Sequence, residues 1–242
     1  MAADRLGAQR RRRPTRAGTV LSHELIVATA IRLVDLHGSD GLSVRRLGAA
    51  LGADPSAIYR YFTGTDDLVR AVADSLIGRA LDGFVPGPSW RAALAEMGER
   101  IYAGCLARPR AAVLTAARVT GRVHEIQAVE VGLGILRGAG FGVAAASRSY
   151  HAFIDLTLGY AMLDAAALAL SGAGDVAAWG DVYAGLPSGS HPNIAACAGS
   201  LEQAMSGSAY ASALGFFLDG LTLELERGEK VGGRFGGPEN RL

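Results

Sequence analysis

The sequence predicts an all-α protein, and three observations carry that prediction. Apolar residues recur every three or four positions in one segment after another, and no run shows the alternation of a half-buried strand. Ser or Asp stands ahead of the early segments, where a side-chain oxygen can satisfy the free N–H groups of a helix start. Gly and Pro punctuate the chain between them. Half of the 242 residues are apolar and 19% are charged, enough to bury a sizeable core.

Residues 1–20 are basic, contain Pro14 and Gly18, and show no apolar period, so they predict a flexible arm. Ser22 predicts the cap of a helix over 23–37, with Ile26, Ala30, Leu33 and Val34 on one face and Gly38 at its end. Ser43 caps a second helix over 44–51, whose Val44, Leu47 and Leu51 share a face. After Gly52, Asp54 and Pro55 take the cap and first position of a third helix, Pro55 to Phe62, with Ile58 and Phe62 inward. Asp66 and Asp67 fall in the first turn of a fourth, running to about Leu81, where carboxylates favour the helix dipole. Beyond the linker Pro86-Gly87-Pro88, helical segments are expected near 89–107, 109–119, 122–139, 143–171 and 207–227. Residues 172–200, rich in Gly, Ser and Pro, read as a long loop, and 229–242 as a disordered tail.

Charge is distributed unevenly. Residues 1–70 carry a net +4 and the remainder −3, and six Arg stand against one Asp within residues 1–16. Such a chain is suited to meeting a polyanion at one end. Arg10 to Arg13 ahead of Leu25-Ile26-Val27 are not expected to form a twin-arginine leader, because His23, Glu24, Arg32 and Asp35 interrupt the apolar stretch. No run of 18 apolar residues is present, so no membrane span and a cytoplasmic location are expected. Cys105 and Cys197 stand far apart without a CxxC neighbour, which fits a disulfide-free protein.

Two short helices around a glycine turn are the arrangement of a helix-turn-helix, and the sequence meets its demands in turn. Gly52 supplies the residue that tolerates positive φ. Gly48 supplies the small residue where the helices cross, and Ile58 the inward aliphatic six residues after the turn. Ser56, Ala57, Tyr59, Arg60 and Tyr61 are left for an outward face able to reach the major groove.

From Ser22 to Leu81 the chain resembles the DNA-binding domain of TetR-family repressors. The residues that carry the resemblance are Leu42-Ser43-Val44-Arg45-Arg46-Leu47-Gly48, the Leu51-Gly52 turn, and Ala57-Ile58-Tyr59-Arg60-Tyr61-Phe62 followed by Asp67-Leu68. It departs from the family at Thr65, where members usually carry Lys, and at Tyr61, where they carry His. The resemblance implies a helix-turn-helix domain over 21–66 and a helical ligand-binding and dimerisation domain over 67–228. It implies phosphate contacts from Ser43, Tyr59 and Thr65 and base contacts from Arg45, Pro55, Ser56 and Ala57. Arg60 or the arm would offset the missing Lys, and Arg10 to Arg13 would enter the minor groove.

One eight-residue helix reads too few bases, so a homodimer on a pseudo-palindromic double-stranded DNA operator is expected, paired through the segments at 143–171 and 207–227. The family layout places a pocket for a small hydrophobic effector among Met97, Ile101, Cys105, Leu114, Gln127, Phe153, Leu156, Tyr160 and Trp179. The function expected is therefore a ligand-responsive repressor. The rival is a helical protein-interaction adaptor whose helix-turn-helix is vestigial, with Thr65 as its hint. No GxSxG, Walker or HExxH motif occurs, and the five histidines have no ligand spacing with the cysteines, so neither an enzyme, a cofactor nor a metal is expected.

Overall fold

The computed structural model describes residues 20–115, 118–169, 182–205 and 207–232, and they form helices with no strand among them. The arm over 1–19, the stretch 170–181 and the last ten residues lie outside the described residues. No described helix is long and apolar enough to cross a membrane.

The first four helices form a head. Helix α1 (His23–His37) starts where the Ser22 hydroxyl oxygen accepts the Leu25 N–H. A short 3₁₀ turn (Gly38–Leu42) leads to α2 (Val44–Leu51), capped by Ser43. Helix α3 (Pro55–Ile58) is capped by Asp54, which accepts the Ser56 N–H at 2.8 Å. Helix α4 (Thr65–Ala80) follows. Their apolar faces meet in one cluster of Ile26, Ala30, Val34, Leu47, Ile58, Phe62, Leu68 and Val72.

A second cluster forms the body. Helices α5 (Trp90–Leu106), α7 (Val123–Gly138) and α8 (Val143–Ala169) pack with α10 (Tyr210–Gly232) around Leu94, Met97, Leu136, Phe153, Tyr210 and Leu214. Short α6 (Pro109–Thr115) instead sends Ala111 into the head cluster. Helix α4 belongs to both: Leu68 and Val72 bury in the head, while Ile77 lies against the body. The boundary expected at 66 and 67 therefore falls inside the first turn of one continuous helix.

Several expected elements are corrected. Helix α3 ends at Ile58 rather than Phe62, because the Ile58 carbonyl accepts both the Tyr61 and the Phe62 N–H and the chain turns there. Helix α6 is described as far as Thr115, and residues 118–120 are not helical, so it does not reach the expected 119. The long loop expected to 200 contains helix α9 (Pro192–Met205). Pro192 takes its first position, where a missing N–H costs nothing, and Ile194, Ala198, Leu201 and Met205 then follow at helical spacing. The last helix continues to Gly232 into the expected tail, through a stretch rich in the helix formers Glu, Arg and Lys.

Candidate nucleic-acid interface

The turn between α2 and α3 sets the geometry. Gly52 adopts the left-handed conformation, φ 60° and ψ 31°, and its N–H bonds back to the Ala49 carbonyl. The Ala53 N–H bonds to the Gly48 carbonyl at 2.9 Å. A β-carbon on Gly48 would stand 2.8 Å from the Ala53 carbonyl oxygen and 3.3 Å from the Pro55 ring, so only glycine lets α3 approach this closely. Ile58 is 1% exposed and anchors α3, whereas its neighbour Tyr59 is 58% exposed. The aromatic ring of Tyr59 is thus held in solvent beside a buried anchor.

Of the other residues expected to meet DNA, Ser43, Arg45, Pro55, Ser56, Arg60 and Thr65 are likewise exposed. Among the described residues, Arg45 and Arg60 make no ion pair, so their charges are available. The Ser43 oxygen accepts the Arg46 N–H in its cap, leaving the hydroxyl proton free to donate outward. Helix α4 has no side-chain cap, because Gly64 precedes it, so its first N–H groups, Thr65 included, can meet an anion. The two acidic groups beside Thr65 are already engaged. Asp66 pairs with Arg70 and Arg118, and Asp67 with Arg122. The Thr63 N–H and then the Arg122 guanidinium hold the Asp67 carboxyl below the usual carboxylate range, against the opposing effect of burial.

Two expected contacts are corrected in orientation. Tyr61 is half-buried, and its hydroxyl donates to the Leu21 carbonyl at 2.7 Å, so it ties α3 to the start of α1 instead of facing outward. Ala57 is half-buried against the head core, leaving Pro55 and Ser56 as the more open pair at the start of α3. Sequence reasoning missed Arg46, which is exposed beside Arg45; the signal was the doublet itself.

The residues expected to hold an effector do not gather in one place. Met97, Ile101 and Phe153 are buried in the body core, with Leu156 and Tyr160 half-buried against it. Cys105 is half-buried as well, and burial pushes its thiol up to about 11. Leu114 packs on the head core instead, because α6 faces that way, and Gln127 is exposed on α7. Trp179 lies outside the described residues. A polar group beside this core was missed. Tyr102 and Tyr210 stack at 4.3 Å, the Tyr102 hydroxyl donates to Asp164 at 2.6 Å, and Thr157 lies 3.2 Å from the Tyr210 hydroxyl. Burial pushes Tyr210 up to about 12. Its members are spread from residue 102 to 210, so no short spacing announces them. Elsewhere, a groove of about 520 Å³ is walled by Pro86, Pro88 and Trp90 and floored by Gly134 and Gly138 of α7; none of the expected effector residues lines it.

Comparison with known proteins points the same way as this geometry. Residues 26–72 match the family described as "Bacterial regulatory proteins, tetR family". The chain is 28% identical over 130 residues to an HTH-type transcriptional regulator of Saccharopolyspora erythraea, covering 54% of this chain and 55% of that protein. It is 33% identical over 94 residues to the HTH-type transcriptional repressor DrrR1 of Streptomyces coeruleorubidus, covering 38% and 35%. The chain thus spans about half, or less, of the curated relatives it matches. Its fold is similar to apo ActR from Streptomyces coelicolor, with a TM-score of 0.77 at 23% identity over 86% of this chain and 98% of that one. ActR has also been solved in complex with actinorhodin and with (S)-DNPA.

Proposed function

We propose that this chain, which belongs to the tetR family of bacterial regulatory proteins and is a transcriptional regulator, acts as a homodimeric repressor released from its operator by a small hydrophobic effector. The observation that carries the reading is the exposed face of Arg45, Ser56, Tyr59 and Arg60 on a rigidly anchored helix-turn-helix. Ser43, Tyr59 and Thr65 hold phosphates and fix the register. Arg45, Pro55 and Ser56 face base edges, with Arg45 as the bidentate partner of a guanine. Arg60 adds positive charge beside them.

Dimerisation is supported by what the monomer leaves uncovered. Leu163 and Leu168 of α8 are 67% and 57% exposed, and Phe216 and Leu223 of α10 are 76% and 53% exposed. Gly159, Gly215 and Gly220 lie on the same two helices with open space in front of them, which allows a close helix approach. Pairing α8 and α10 with their copies about a two-fold axis buries these groups and sets two heads on a pseudo-palindrome. The proposed effector site lies in the body beside Met97, Ile101, Phe153, Leu156 and Tyr160, a reading supported by their shared apolar core and by the Tyr102, Thr157 and Tyr210 hydroxyls at its edge. Likeness to ActR, a protein solved with bound small molecules, supports a body built to hold one. The chain is read as a regulator with no catalytic role.

Selection of genomic fragments by the full-length protein, followed by electrophoretic shift over a salt series, tests this. A site-specific shift that weakens steeply with salt is the expected result. A protein that retains no fragment, or binds all fragments alike, overturns it in favour of an interaction adaptor.

A further inference from the structure

Asp74 lies on α4, buried at 6% exposure, midway between the head and the body. It touches neither the proposed DNA face nor the proposed effector site. Its carboxylate is saturated by a different helix. Oδ1 accepts the backbone N–H of His124 at 3.1 Å and of Glu125 at 3.0 Å, and the Thr120 hydroxyl approaches it at 3.4 Å. Oδ2 lies 2.8 Å from His124 Nδ1. These are the N–H groups that a helix normally caps with its own preceding residue. Arg122 occupies that place on α7 and makes no side-chain capping bond, so α7 is capped from α4 instead.

The fit around this bond is close. One turn along α4, Gly78 lies under the His124 imidazole, and a β-carbon there would stand 2.6 Å from Cδ2 and 2.7 Å from Cγ. Toward the head, Arg122 donates to Asp67 at 2.6 Å and Arg118 pairs with Asp66. Within the loop, the Glu125 carboxylate accepts the Thr120 N–H at 2.9 Å and the Gly121 N–H at 2.6 Å, so the loop that presents these donors has a fixed shape. Along two turns of α4, the same neighbouring segment is fastened at three acidic residues.

A buried carboxylate is costly unless its hydrogen bonds are made. A cap on α7 itself would stabilise α7 in any orientation, whereas Asp74 stabilises it only when α4 and α7 keep this register. A slide of a few ångströms breaks these bonds together, so intermediate positions are disfavoured. Because the first half of α4 is part of the head core, the register of α4 on α7 is also the angle at which the head leaves the body.

We propose that Asp74 is a positioning residue for DNA recognition: by capping α7 from α4, with His124 seated on Gly78, it fixes the orientation of the head and hence the spacing of the two heads in a dimer. The inference rests on the homodimeric reading above and adds the joint that sets its geometry.

Head spacing in the full-length protein is the direct readout. With Cys105→Ser and Cys197→Ser removing the native thiols, a spin label at Ala50→Cys, exposed on α2, reports one head-to-head distance per dimer by pulsed dipolar spectroscopy. The parent protein is expected to show a narrow distribution. Asp74→Ala should broaden or displace it and weaken the selected operator duplex at least tenfold. Asp74→Asn keeps an oxygen for the two backbone N–H groups and should restore the narrow distribution, a rescue that loss of charge alone does not predict. Gly78→Ala serves where Asp74→Ala fails to fold. It raises the helix propensity of α4, yet by displacing the imidazole it should still shift the distance. Unchanged distributions in Asp74→Ala, or in Gly78→Ala where that variant stands in, overturn the proposal. A parent that binds the operator but gives no dipolar signal overturns the dimer and this inference together, and a parent that gives the signal but binds no fragment overturns the repressor reading alone.

Discussion

In the head, the apolar faces of the first four helices close on one another, and Ile26, Val34, Leu47, Ile58 and Phe62 leave almost no surface to solvent. In the body, helices of comparable apolar content leave Leu163, Phe216 and Leu223 more than half exposed, while its polar ties cross long stretches of chain, as from Tyr102 to Asp164. The head closes its own core, and apart from Val20, Leu36 and Tyr59 what it shows outward is mostly polar or charged. The body is incomplete, and what it shows outward is apolar. On the proposed reading, the apolar surface of the body meets a second copy of the chain and the face of the head meets DNA.

The largest expected effect contrasts one phenylalanine in each region. Phe62→Ala should cost the head about 3–5 kcal/mol, since it empties a packed site. Chemical denaturation followed by circular dichroism should show an early transition confined to the head, together with loss of DNA binding. Phe216→Ala should change monomer stability by less than about 0.5 kcal/mol, because its ring is already in water. Equal destabilisation by both would erase the distinction between the regions. Phe216→Glu is the next largest. Burying a phenylalanine contributes about 1.5–3 kcal/mol, and a two-fold interface holds two copies, so the association constant should fall a hundredfold or more. Sedimentation at micromolar concentration should then find monomers; a persisting dimer would move the interface off α10.

The same contrast explains what could be read from the residues alone. Caps at Ser22, Ser43 and Asp54, the turn at Gly52 and the anchor at Ile58 are signals within a few positions of their targets, and the head folds as they dictate. Tyr61 was misread because its partner, the Leu21 carbonyl, is forty positions away, and an aromatic on a short helix gives no sign of which way it turns. The end of the expected loop, 192–200, is helical instead, because the Pro and Gly content there marks only the approach to α9, whose apolar stripe runs past residue 200. The effector residues were the least legible. Helical period places Leu114 on an apolar face, but only tertiary packing decides that this face meets the head.

Arg45→Ala sharpens the comparison from the head side. The guanidinium is exposed and unpaired among the described residues, so its removal should leave folding intact. Preference at one symmetric base pair should relax by about 1–3 kcal/mol, measured by competition among operator variants. Uniform weakening across all variants would reassign Arg45 from base reading to phosphate contact.

The smallest effect is a gain. Thr65→Lys places an ammonium at the first position of α4, where an uncapped helix start already favours an anion. Its acidic neighbours are engaged, Asp66 with Arg70 and Arg118 and Asp67 with Arg122, so they do not cancel the new charge toward DNA. One added phosphate contact per protomer should steepen the fall of log affinity with log salt by about 0.9, and by about twice that for a dimer. Sequence preference should stay as it was, because phosphates carry no base identity. If the slope does not move, the lysine has displaced an arginine from Asp66, and Thr65 faces the head's own carboxylates rather than the DNA backbone. The substitution therefore reports which way the first turn of α4 points when the operator is bound.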